Sequence, residues 1–202
     1  MKILNKKLQE ALEQGGKIKL DLGCGQGPVE GFFAVDHLEM DGVDVVADLN
    51  EPLDLLPDNS VDEIYSRHCF EHIDNFLPLM KEIHRVVKPG GKIEIIVPHY
   101  SNVLAYSDPT HVRFFGLYTM YYFVSPEHQP KKRKVPSFYS DIRFQIHRIK
   151  IEFYRYTFFE RLSVSLIKRL VNLSFGNQFR YERRWSSLFH ASQIRYLMTP
   201  DK

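Results

Sequence analysis

Three β segments near the start of the chain follow one another too closely for helices to join them. Leu20 closes one apolar run, and Gly23, Gly25 and Gly27 follow it in DLGCGQG. Only six residues, PVEGFF, separate Gly27 from Ala34 in FFAVDHL, and only five, EMDGV, separate Leu38 from Asp44 in VDVVADL. A parallel crossover through a helix takes roughly 10–12 residues at least. Two crossovers are therefore expected to be reduced to turns. Losing those helices would uncover a face of the first three strands, and a bare apolar face needs a cover. The helical segment Phe158 to Phe175, or a second copy of the chain in a homodimer, is expected to supply it.

The rest of the pattern alternates strand and helix. Leu4, Leu8, Ala11 and Leu12 sit at helical spacing before Gly15-Gly16, so Ile3 to Gln14 reads as a short amphipathic helix. EIYSR and KIEIIVP read as a fourth and a fifth strand. Between them DNFLPLMKEIHRVVK carries Phe76, Leu79, Met80, Ile83 and Val87 on one helical face, with Pro89-Gly90-Gly91 as its stop. Strand, helix, strand is the signature of a parallel α/β sheet. Beyond Pro98 the sequence turns irregular and aromatic, with Pro126, Pro130 and Pro136, as an inserted lid would. FQIHRIKIEFYRY then alternates as a strand, FFERLSVSLIKRLVNLSF is amphipathic, and SQIRYLMT reads as the final strand. The expected organisation is one domain over 1–202, with a ligand-binding half at 1–98, a lid at 99–140 and C-terminal strands and helices at 141–202.

The chemistry gathers at the C-terminal ends of these strands. Glycines after a strand let a ligand touch bare backbone. GxGxG is neither the GxGxxG of a dinucleotide site nor the Gly-Lys-Ser/Thr of a phosphate loop. Asp36, ending the second strand, could accept from ribose hydroxyls, and Asp48, ending the third, from an exocyclic amine.

These parts in this order resemble the class I S-adenosylmethionine-dependent methyltransferases. The resemblance covers about Lys17 to Pro98. It rests on DLGCGQG, VDH, ADL, SRHCFEHI and KPGGKIEIIVP, each placed at a strand end or leading into a strand. It implies an α/β, Rossmann-like, mostly parallel sheet of seven strands, with the last, Gln193 to Thr199, antiparallel between its neighbours. It also implies S-adenosyl-L-methionine as cofactor. Asp21 and the glycines Gly23, Gly25 and Gly27 would cradle its methionine part, Asp36 its ribose, and Asp48-Leu49 its adenine. Cys24, His37, Ser66 and His68 fall in the same motifs and are expected at the cofactor site. The abbreviated opening, DPTHVRFF at Asp108 to Phe115 and ERRWSSLFHASQI resemble a shorter branch predicted for sugar or surface-glycan modification.

Methyl transfer requires a positioned acceptor and, for a hydroxyl or amine, a proton acceptor. His111 in SDPTHVRFF is the expected base, oriented by Asp108, with His99 the second candidate. Tyr100, beside His99 after the fifth strand, and Arg113 are expected to meet the acceptor. HCFEH, His68 to His72, is H-x-x-E-H, which on a helix puts two imidazoles one turn apart beside a glutamate, as zinc sites do. It begins straight after a strand, with no acidic downstream helix to provide a third ligand, so no metal is expected.

Charge is uneven along the chain: residues 1–100 hold 10 Lys+Arg against 18 Asp+Glu, and 101–202 hold 17 against 7. The basic half would suit an anionic acceptor, a nucleic acid, a membrane surface or the acidic half itself. PKKRKV at 130–135 has the string of a nuclear import signal, and the helical segment with Arg161, Lys168 and Arg169 would suit an anionic bilayer. The Asn/Asp-Pro-Pro-aromatic stretch of base amino methylases is replaced by YSRHC, which disfavours nucleic acid. Two cysteines, Cys24 and Cys69, make no disulfide framework and fit a reducing, cytoplasmic setting. They follow neighbouring strands and could lie close enough to cross-link. The expected function is transfer of a methyl group to a hydroxyl or amine of a small molecule such as a sugar or glycan precursor. Nucleic-acid or protein methylation, or a silent cofactor-binding module, are the alternatives.

Overall fold

The computed structural model describes residues 1–25, 27–154 and 158–202, the side chains of 158–163 excepted. A two-residue strand, β1 (Lys2–Ile3), precedes helix α1 (Lys6–Gln14). Asn5 caps α1 by accepting from the Lys7 N–H, and Gly15 closes it at φ +71°, the left-handed stop for which glycine is best suited. Then β2 (Lys19–Leu22), β3 (Phe33–Asp36) and β4 (Val45–Val46) follow with turns alone between them. The short spacings dictate this. β5 (Val61–Arg67), α2 (Phe76–Val86) and β6 (Val87–Pro98) complete the parallel part. After the lid come β7 (Arg143–Phe153), α3 (Phe158–Val171), α4 (Phe175–Arg184) and β8 (Ala191–Asp201).

All of these strands join one sheet in the order β1-β4-β3-β2-β5-β6-β8-β7. β2 to β6 pair in parallel, and β8 runs antiparallel between β6 and β7. The α/β, Rossmann-like expectation holds. Its seven strands become eight because Lys2 and Ile3 add an antiparallel edge against Val46 and Val45. Pro89-Gly90-Gly91 is not a loop after α2: β6 runs through it, and the register jump between Val61↔Val87 and Glu63↔Lys92 absorbs the extra residues as a bulge.

The two sheet faces differ in chemistry. On one, Leu20, Ile64 and Ile93 stand in register, as do Leu22, Ser66 and Ile95, and all are fully buried. Leu79, Met80 and Ile83 of α2 join them in one core with Phe115, Met120 and Phe123 of the lid. On the other face the residues between them are polar. Lys19 pairs with Glu63 at 2.8 Å and lies 5.0 Å over the ring of Phe32, which meets Tyr65 edge-on. Farther along, Arg195 bonds Glu94, and Glu152 faces Lys150 and Lys168 at 3.6 Å each.

This changes the ground on which a covering element was expected. The face over which helices are missing is not apolar, so the physical reason for a cover is gone. The C-terminal helical segment lies instead at the β7 edge, where Asn172 bonds both backbone groups of Ile151. α4, which the sequence pattern did not suggest, buries only Gln178 and Tyr181. The aromatic and basic side chains of 155–163 that suggested a membrane face lie outside the described residues. No helix among the described residues is long and apolar enough to cross a membrane.

The difference between the faces sets an expected contrast. Ile64→Ala removes buried volume from the core and is expected to cost about 2–5 kcal/mol in urea unfolding. Glu63→Ala, one residue away on the open face, breaks a partly exposed ion pair and is expected to cost under about 1 kcal/mol. Equal losses would contradict an open polar face.

Candidate functional site

At the C-terminal ends of β2 to β5 lies a cavity of about 580 Å³. The turn after β2 contributes Gly23 and Gly25, the end of β3 Asp36 and His37, and the residues after β4 Asp48 and Leu49. All six, and His68 after β5, are among the residues expected at the cofactor site, and the structure brings them to one cavity. Ala47, Asn50, Cys69, His72, Ile73 and Thr110 also line it.

The glycines do different jobs. A Cβ at Gly23 would sit 2.4 Å from the Cys69 sulfur, and its φ is +71°. Its bareness serves the close approach of the segment after β5. At Gly25, with φ +55°, a Cβ would meet open space, and its N–H donates to Asp36 Oδ2 at 3.0 Å. Asp36 is 7% exposed; its Oδ1 accepts from Leu38 N–H at 3.2 Å and lies 3.0 Å from His37 Nδ1. A carboxylate has about four lone-pair sites, so Asp36 keeps room for ligand hydroxyls while it holds the turn.

Several expected residues stand beside the cavity and do not line it. Asp21 is buried, and its Oδ2 accepts from Val29 N–H at 3.0 Å; burial raises its pKa against that hydrogen bond. It pins the loop that the cavity rests on. Ser66 is fully buried on the core face and donates to Leu22 O. Cys24 and Gly27 likewise do not line it.

At the other end the corrections are larger. His99 was expected at the pocket mouth but is fully buried, bonded through Nε2 to Glu182 at 3.1 Å and through Nδ1 to Ser101 at 2.8 Å. Tyr100 donates to the Glu182 carbonyl at 2.9 Å and borders a separate depression with Arg133 of the exposed PKKRKV stretch. Both tie the lid to α4. Arg113 donates through Nη2 to the carbonyls of Ile73 and Asp74 and stacks on Phe76 at 4.8 Å, while its Nε is buried without a hydrogen bond.

His111 does not line the cavity; it packs edge-on against His72, which does, with ring centres 4.7 Å apart. Thr110 Oγ1 donates to Asp108 Oδ1 at 2.6 Å, so it accepts from His72 Nδ1 at 2.9 Å. The hydroxyl bond and a second from the Thr110 N–H at 2.9 Å hold the Asp108 carboxyl below its ordinary range. His111 Nδ1 donates to Ala105 O at 2.8 Å. In both rings Nε2 is therefore the nitrogen with the lone pair. H-x-x-E-H is not a helical pair: His68, at φ +54°, precedes a single 3₁₀ turn, Phe70–His72.

Fold and cavity together define a class I methyltransferase domain. A family model described as a methyltransferase domain matches residues 2–199. The chain belongs to this family of methyltransferase domains. A crystal structure of an S-adenosylmethionine-dependent methyltransferase from Archaeoglobus fulgidus is similar over 96% of this chain and 90% of that one, at 22% identity and a TM-score of 0.58. The YcgJ protein of Bacillus subtilis is similar over 98% of both chains, at 16% identity and a TM-score of 0.53. These two likenesses establish the fold. A demethylmenaquinone methyltransferase of a Geobacillus species is 34% identical over 71 residues, which is 35% of this chain and 27% of that protein's length.

Both cysteines are free thiols. Burial first, and then the charge of Asp36, pushes Cys24 up to about 11; burial and then Glu71 push Cys69 up to about 12, from an ordinary 9.0. A raised thiol pKa favours the neutral form in the fold, so that contribution to stability is complete below pH 9 and lost above about 11–12. At pH 8 iodoacetamide is expected to alkylate Cys24 about 100-fold and Cys69 about 1,000-fold more slowly in the native protein than in urea. Equal rates would contradict this microenvironment.

Proposed function

We propose that this protein transfers the methyl group of S-adenosylmethionine to a hydroxyl or amine of a small-molecule acceptor, with a sugar or glycan precursor as the favoured class. The cofactor supplies an electrophilic methyl on a sulfonium. Its residues would be the bare backbone at Gly25, the Asp36 carboxylate and the apolar side of Leu49 beside Asp48. The lining fits the group: side-chain-free backbone, acid and apolar wall meet in one cavity. At about 580 Å³ that cavity lies within the roughly 300–1,000 Å³ of small-molecule sites.

The observation that carries the reading is the joining of strand-end acids and lid in that one cavity. Thr110 closes its far end, and the lid is sewn down by Val112 N–H to Glu71 O at 2.9 Å and by Arg113. A lid fastened this way supports a compact acceptor over a polymer. His72 and Thr110 are the polar groups that would meet it.

Calorimetric titration with S-adenosylmethionine should show one site per chain. Asp36→Ala should weaken it by about 10- to 100-fold, while Asp36→Asn, which keeps an acceptor for Gly25, should lose less. A screen for S-adenosylhomocysteine release should then respond to hydroxylated or amino small molecules. Absence of binding, or turnover only with nucleic acid or protein, would contradict the proposal.

A further inference from the structure

The buried carboxylate of Glu71 has no evident purpose in the fold. Its side chain is 1% exposed, and neither Oε atom makes a hydrogen bond. His68 Nδ1 stands 3.4 Å from Oε1 and is not hydrogen-bonded to it. A buried polar group without a hydrogen bond is costly, and an unfilled ion site is one arrangement that accounts for it. One ligand atom each from Glu71, His72 and His111 lies within 4.8 Å of the other two. Both imidazoles are held as metal-ligating imidazoles are, with Nδ1 donating to a protein oxygen, Thr110 Oγ1 for His72 and Ala105 O for His111, which leaves Nε2 basic. Asp108 Oδ2 stands 3.7 Å from His111 Nε2 as a further oxygen.

We propose that Glu71, His72 and His111 bind a first-row divalent cation of the Zn²⁺ class, with an open coordination position facing the cavity. Two imidazoles and one carboxylate are the donor set of sites that keep a position for a substrate oxygen. Ligands on one tetrahedral zinc are about 3.3 Å apart, so the three side chains close by about 1 Å on binding. The third ligand that the H-x-x-E-H spacing lacked comes from the lid, where Val112 N–H on Glu71 O keeps His111 beside the turn. The inference rests on the methyltransferase reading for its purpose. His72 belongs to both cluster and cavity, so an acceptor hydroxyl on the open position would meet the cation, which lowers its pKa. Its proton would leave to water past the exposed Asp108. The acceptor oxygen then bonds the methyl carbon as the carbon–sulfur bond breaks, and the electron pair stays on sulfur.

The test is titration of chelator-treated protein with Co²⁺, followed by visible d–d absorption, with Zn²⁺ competition. One equivalent should bind, with the absorption of a low-coordinate nitrogen and oxygen site, and Zn²⁺ should displace it. Glu71→Gln and His111→Gln, checked for folding by circular dichroism, should each weaken Co²⁺ by at least about 10-fold. Failure of the native protein to bind Co²⁺ at micromolar concentration, or unchanged binding in both folded variants, would overturn the site. Should a variant not fold, the spectrum of the native protein decides: octahedral, all-oxygen absorption overturns it. Calorimetry of the metal-free protein with S-adenosylmethionine reads the other claim separately. Cofactor binding without Co²⁺ binding removes only the cation site, and Co²⁺ binding without cofactor binding removes only the purpose given to it.

Discussion

The carboxylate of Asp36 is where the fold and the site depend on the same atoms. A parallel sheet ordinarily ties its crossovers down by packing helices on them. Here the crossovers from β2 to β3 and from β3 to β4 have no helix, and strand-end acids fasten the backbone instead. Asp36 takes the N–H of Gly25, Asp21 that of Val29, and Asp44 that of Ala34 at 2.7 Å. Asp62 does the same for Ile18 at 2.8 Å, helped by Lys88. A buried backbone donor without a partner costs about 1–3 kcal/mol, so Asp36, Asp21 and Asp44 each replace part of what a helix would have done in those two crossovers. Asp36 alone among these four also lines the cavity.

The same economy explains the open face of the sheet. Parallel sheets are usually buried on both sides. This one alternates, with apolar residues toward α2 and the lid, and lysines, arginines and glutamates outward. Cross-strand pairs such as Lys19 with Glu63 and Glu94 with Arg195 hold that face while it stays wet. The acidic first half and basic second half of the chain meet partly here, through Glu94 and Arg195 on adjacent strands. Part of the charge asymmetry is thus internal.

Much of the cofactor half was legible because strand ends are fixed by sequence: a strand followed by glycines, then acids after short gaps, places Gly25, Asp36 and Asp48 without knowledge of packing. The polar face was also written in KIKLDL, VDEIYSR and KIEII, whose period-two alternation is unusual for parallel strands and stands in place of the missing helices. His99, Tyr100 and Arg113 could not be placed, since a position just after a strand fixes the backbone, while a side chain's direction depends on α4 and Phe76. α4 escaped notice because FGNQFRYERR has no apolar stripe. The approach of His111 to Glu71 and His72 joins residues about 40 positions apart through the lid, which no spacing rule reveals.

The most direct test of the account is a crystal structure of the protein with S-adenosylhomocysteine. The adenosyl group should lie in the cavity between Gly25 and Leu49, within hydrogen-bond reach of Asp36, whose carboxylate still holds the Gly25 N–H. A ligand seated elsewhere, on the open charged face or beside Tyr100, with the turn at Gly23–Gly25 untouched, would contradict it.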